Sequence, residues 1–110
     1  MKKNYLDKIP VYSSKITHKT DKSGTVILQI ENKGIVNLVA QKLFKKPRTS
    51  YIHLDEPGSF VWLNINGSRS IYDIAALLNE SFGNASHPLY ERIGEFFIIL
   101  DKNGFIRWIK

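Results

Sequence analysis

In its first half the clearest apolar runs of this chain alternate with polar residues, but from Asp55 onward they recur every three or four positions. This change of period constrains the fold more than any motif does. A repeat of two belongs to a half-buried strand, and a repeat near 3.6 belongs to a helix with one apolar stripe. Strands followed by helices make the expected class α+β.

The strand half reads as follows. ITHKT and TVILQIEN flank DKSG, a turn-forming cluster ending in a glycine that tolerates positive φ. Val26, Leu28 and Ile30 alternate with Thr25, Gln29 and Glu31, so an antiparallel hairpin is expected. In IVNLVAQKLFKKPR, residues Ile35, Leu38, Val39, Lys42 and Leu43 fall at helical spacing and Pro47 ends the pattern, predicting an extra short helix. TSYIHL is then a third short strand, with Tyr51 and His53 on one side and Ile52 and Leu54 on the other. Residues 1–14 read as an N-terminal arm, with Pro10 discouraging regular structure, and 15–110 as a single domain.

Three helices follow. The first runs from about 56 to 64 and offers Phe60, Val61, Trp62 and Leu63 to the core. After a turn at Asn66-Gly67, Ser70 caps IYDIAALLNESF, which has Ile71, Ile74, Ala75, Leu78 and Phe82 in register and Gly83 past its end. Pro88 suits the first turn of LYERIGEFFIILDKN, which Gly104 closes. FIRWI finishes as a short strand or extended segment.

The stretch YIHLDEPGSFVW puts His53, Asp55, Glu56 and Ser59 within seven positions and invites a catalytic reading. Helix chemistry accounts for it better. A carboxylate just before a helix accepts an otherwise unpaired amide hydrogen, and Glu56 in the first turn faces the positive end of the helix dipole. Ser59 lies within the helix, without the strand-to-helix turn of a nucleophile elbow. There is no cysteine, the three histidines (His18, His53, His87) are widely spaced, and NGSRS lacks the lysine of a phosphate loop. The expectation is a non-enzyme with no metal and no cofactor.

LDEPGSFVWLNINGSRSIYDIAALLNESFG followed by LYERIGEFFIILDKNGFI resembles the PqqD-like family (coenzyme PQQ synthesis protein D-like). The matching features are Leu54-Asp55-Glu56, Trp62, Ile65-Asn66-Gly67, Ile71-Tyr72-Asp73-Ile74, Phe96-Phe97 and Gly104-Phe105-Ile106, all within residues 54 to 106. The resemblance implies a winged-helix-like domain, a three-stranded antiparallel sheet packed on three helices. It also implies a recognition element that binds the leader of a ribosomally made precursor peptide and presents it to a modifying enzyme, often a radical S-adenosylmethionine maturase. The leader is then an added strand in the cleft between the third strand and the third helix. Two departures stand out. Arg92 occupies a place where the family often has an acid, which points to a more acidic ligand, and residues 35–48 are longer than in compact members.

The residues themselves offer the parts of such a cleft. Phe96-Phe97-Ile98-Ile99-Leu100 is apolar all round for more than a turn, so the third helix is either buried on both sides or lines a groove. Gly94 within it allows close approach of another backbone. If TSYIHL is a sheet edge, its free amides and carbonyls accept an incoming strand. The candidate peptide site is therefore Ser50, Tyr51, Ile52, His53 and Leu54 against Leu89, Arg92, Ile93, Phe96, Phe97 and Leu100. Lys42, Lys45, Lys46 and Arg48 form a candidate basic docking surface for an acidic leader or the partner enzyme. The formal charge of +6 also permits a winged-helix DNA binder, the alternative reading, but the second and third helices carry too few cations to read base edges. The N-terminus has no apolar run of a signal peptide, and no eighteen apolar residues run together, so a cytoplasmic location is expected. Monomer or dimer is left open.

Overall fold

The computed structural model describes residues 3–14, 16–31 and 49–109. The helix expected between the second and third strands lies outside them, as do Lys42, Lys45, Lys46 and Arg48. Within them the chain is α+β. Strands β1 (Ile9–Tyr12), β2 (Ile16–Thr20), β3 (Val26–Glu31), β4 (Thr49–His53) and β5 (Ile106–Ile109) accompany helices α1 (Lys3–Leu6), α2 (Glu56–Leu63), α3 (Ile71–Phe82) and α4 (Leu89–Lys102).

The expected hairpin and third strand form an antiparallel sheet of order β2-β3-β4. Leu28 stands opposite His18 and Ile52, and Gln29 opposite Thr17 and Tyr51. Because side chains alternate, Val26, Leu28, Ile30 and Ile52 share the inner face, while Gln29, Tyr51 and His53 share the outer one. The β2–β3 turn is held by Asp21, whose carboxylate accepts the amides of Ser23 (2.9 Å) and Thr25 (3.2 Å) and both of their hydroxyls. Those donated hydrogens, the Ser23 and Thr25 hydroxyls foremost, hold the Asp21 pKa down at about 2.

Residues 3–12 are built into the body rather than trailing as an arm. β1 pairs antiparallel with β5 in a second, two-stranded sheet, Ile9 opposite Ile109 and Tyr12 opposite Ile106. Pro10 is fully buried there, opposite Trp108. A strand with only one neighbour tolerates the missing amide that a central strand would not. The Tyr12 hydroxyl donates to the Trp62 carbonyl (2.5 Å), and burial pushes its pKa up. The Ile71 amide donates to the Lys8 carbonyl (3.0 Å), so the start of α3 is tied to the N-terminal segment as well.

The helix starts obey the local rules. The Gly58 amide donates to Asp55 Oδ1 at 2.8 Å, and Ser70 and Asp73 exchange hydrogen bonds as a capping box. Ser59 is 3 % exposed, and its Oγ accepts the Val26 amide at 2.8 Å, which locks α2 to β3. Val26, Leu28, Trp62, Ile71, Ile74, Ile93 and Phe97 make up the fully buried centre. Each large side chain taken from water there contributes about 1.5–3 kcal/mol before chain entropy is set against it.

Candidate functional site

Which backbone groups of β4 are free follows from its register. The Leu54 amide donates to the Val26 carbonyl at 2.9 Å, on the line of the β3–β4 pairing. In an antiparallel ladder, hydrogen-bonded pairs alternate with non-bonded ones. Ser50 and Ile52 therefore turn their amides and carbonyls toward β3. Thr49, Tyr51 and His53 turn theirs outward, where among the described residues no strand pairs with them.

One flank of α4 meets the segment that follows β4 and, through a second cavity, the neighbouring strand β3. Arg92, Phe96, Ile99 and Asn103 recur at four, three and four residues, a single line along the helix. At the upper end of the line a cavity of about 160 Å³ lies between Asp55, Pro57 and Gly58 on one side and Arg92, Ile93 and Phe96 on the other. Its floor is Val61 and Leu78. The Phe96 ring stands only 3.4 Å from where a Gly58 Cβ would sit, so the glycine permits the approach of α4 to the start of α2. At the lower end a larger cavity of about 500 Å³ is bounded by Ser13, Ile16 and Ile30 on one side and by Asn103 and Gly104 on the other. Ile30 is the register partner of Ser50.

The upper end of the flank thus lies against residues just past β4, and its lower end lies across from β3 at the register of Ser50. Five strand residues span about 17 Å, and eleven helical steps span about 16 Å. The two walls match in length. On that helical line Ile99 is 57 % exposed, and Ile52 on the inner face of the sheet edge is 37 % exposed. An exposed apolar helix flank and a strand edge with outward backbone donors and acceptors are the two elements that strand addition of an extended polypeptide uses.

The residues expected at a peptide site divide into three groups. Tyr51, Ile52, His53 and Arg92 are exposed, with Ile52 on the groove face and Tyr51 and His53 on the opposite face of the sheet. Leu54, Leu89 and Phe96 are partly buried against the core. Ile93, Phe97 and Leu100 are at most 2 % exposed, so Phe97 and Leu100 hold α4 in place, while Ile93 also reaches the upper cavity. Ser50 contributes its backbone opposite Ile30. The sequence reading missed Ile99 and Gly58. Ile99 was legible as the residue three past Phe96 and seven past Arg92. Gly58 was not, because its value depends on a helix forty residues away.

The residues that invited a catalytic reading have structural places. Ser59 Oγ accepts the Val26 amide, Asp55 caps α2, and His53 lies exposed on the sheet face opposite Ile52. Among the described residues no three His, Asp or Glu side chains are grouped to hold a metal, and no helix is long and apolar enough to cross a membrane.

Residues 24–106 match the family model of coenzyme PQQ synthesis protein D. The chain belongs to the PqqD family. The match reaches back to Gly24, so it takes in β3 and the whole segment joining β3 to β4 as well as the helices. PqqD proteins are non-catalytic accessory proteins that bind a precursor peptide and associate with a modifying enzyme. No match is found among curated proteins or among solved structures.

Proposed function

We propose that this chain is a cytoplasmic, winged-helix-like adaptor that binds the leader of a ribosomally synthesised precursor peptide and presents it to a modifying enzyme, a radical S-adenosylmethionine maturase. It does no chemistry itself. The observation that carries the reading is the outward-facing backbone of Thr49, Tyr51 and His53, taken with the exposed apolar flank of α4. The leader adds as a strand to β4. Its alternate side chains enter the groove next to Ile52, Phe96 and Ile99, and the others lie on the outer face beside Tyr51 and His53. Lys42, Lys45, Lys46 and Arg48 serve as the basic docking group for an acidic leader, so binding weakens as salt rises.

The test is an amide NMR titration of the labelled chain with a synthetic leader of the short peptide encoded beside it. Shifts concentrated on 49–54 and on Arg92, Phe96 and Ile99, smaller in high salt, are expected. An unmoved β4, with duplex DNA instead shifting residues 42–48, overturns the reading in favour of a nucleic-acid binder.

A further inference from the structure

Although the whole chain is strongly basic, one part of it has the opposite sign. Between residues 71 and 102, Asp73, Glu80, Glu91, Glu95 and Asp101 outnumber Arg92 and Lys102, in a chain whose formal charge is +6. All five acids are exposed. At the N-terminal ends of α3 and α4, next in sequence to Asp73 and Glu91, Tyr72 and Tyr90 meet edge to face with ring centroids 5.3 Å apart. Both rings remain in solvent, at 37 % and 45 % exposure.

These tyrosines are not needed for packing of the kind that Phe97 or Trp62 supplies. Two large rings held against each other, yet open to water and followed in sequence by the exposed Asp73 and Glu91, have the composition of an interface centre with a charged rim. Their place on α4 is equally informative. Taken at 100° per residue, Tyr90 falls on the flank of the helix away from the line of Arg92, Phe96 and Ile99. One helix therefore has one flank turned to the groove and another turned to this aromatic pair.

We infer that the exposed face of α3 and α4 around Tyr72 and Tyr90 is the docking surface for the modifying enzyme, which meets it with an arginine- and lysine-rich patch. The inference rests on the adaptor reading above and assigns its second partner. A bound leader and a docked enzyme then touch the same rigid helix from two sides, and neither displaces the other. The sign of charge selects the occupant: a basic protein surface is attracted to Asp73 and Glu91, whereas a nucleic acid or an acidic leader is repelled by them.

The experiment uses the full chain and the purified modifying enzyme encoded beside it, with enzyme affinity and leader affinity measured separately by calorimetry. Two variants are compared with the parent, the double substitution Tyr72→Ala with Tyr90→Ala, and the single substitution Glu91→Lys. Melting curves and far-ultraviolet spectra check that both are folded. At least a tenfold loss of enzyme affinity in each is the expected result, with leader affinity unchanged within twofold in the tyrosine variant and no weaker than the parent's in the charge variant. Enzyme affinity unchanged in folded variants, while the parent binds both partners, overturns the docking surface and leaves the adaptor reading standing. A parent chain that binds neither leader nor enzyme overturns both.

Discussion

Ser59 Oγ accepts the amide hydrogen of Val26 at 2.8 Å, across 33 positions of sequence, and the bond is buried. A serine that looks like a nucleophile in YIHLDEPGSFVW is thus a clamp between α2 and β3. Ser59→Ala leaves the Val26 amide buried without an acceptor, at a cost of about 1–3 kcal/mol. Urea denaturation should show that loss, while leader affinity in the folded protein stays near that of the parent. Full stability together with lost binding would contradict the clamp.

Proline scanning of β4 should follow the alternation of its backbone. Tyr51→Pro removes an amide that points outward and should abolish leader binding while leaving the domain folded. Ile52→Pro removes one that points to β3, opposite Leu28, and should lower the melting temperature, since a lost ladder bond and the strained ring both act on the sheet itself. Thermal melts paired with leader titrations distinguish the two. Equal damage from both substitutions would mean the edge is not free.

Gly58→Ala is predicted to be far from neutral, although alanine is the better helix former. The added Cβ would stand 2.8 Å from Asp55 Oδ1 and 3.4 Å from the Phe96 ring. The carboxylate has to leave the amide it caps, and a lost cap costs about 1 kcal/mol. The same methyl narrows the upper cavity, so leader affinity should fall as well. Chemical denaturation and the leader titration read the two effects separately.

Asp21 sets a pH limit for the β2–β3 turn. Its carboxyl is held at about 2, below the ordinary value of 3.8, by hydrogen bonds to Ser23 and Thr25. A depressed acid contributes stability that is complete above its unfolded pKa and disappears as pH falls through the folded one. The turn should therefore be fully held above about pH 4, and should loosen as pH falls toward 2. A carboxyl carbon titration should find the midpoint near 2, and Asp21→Asn should abolish the acid-dependent change in amide exchange at Ser23 and Thr25.

The elements legible in the sequence were those with local causes. Asp55 and Ser70 announce helix starts because a capping side chain reaches only three residues ahead, and DKSG announces its turn for the same reason. The pairing of β1 with β5 was hidden. Both strands are four residues long, one contains Pro10, and nothing in IPVY says that its partner lies near the other end of the chain. The site was half legible. Alternation correctly put Tyr51 and Ile52 on opposite faces, but the division of the third helix into core (Phe97, Leu100) and groove flank (Phe96, Ile99) depends on how the helix is rotated against the sheet. A run that is apolar all round does not encode that rotation.

The β1–β5 pairing also sets the order in which the domain can be completed during its synthesis. β1 leaves the ribosome well before β5, and the register that joins Ile9 to Ile109 is satisfied only after α2, α3 and α4 have been made. Closing so long a loop is slow, and it gains nothing until β5 arrives. The helices and the hairpin, whose contacts are nearer in sequence, have time to assemble first. Docking of β1 and β5 is then the late step that draws the N-terminal segment onto a body already formed.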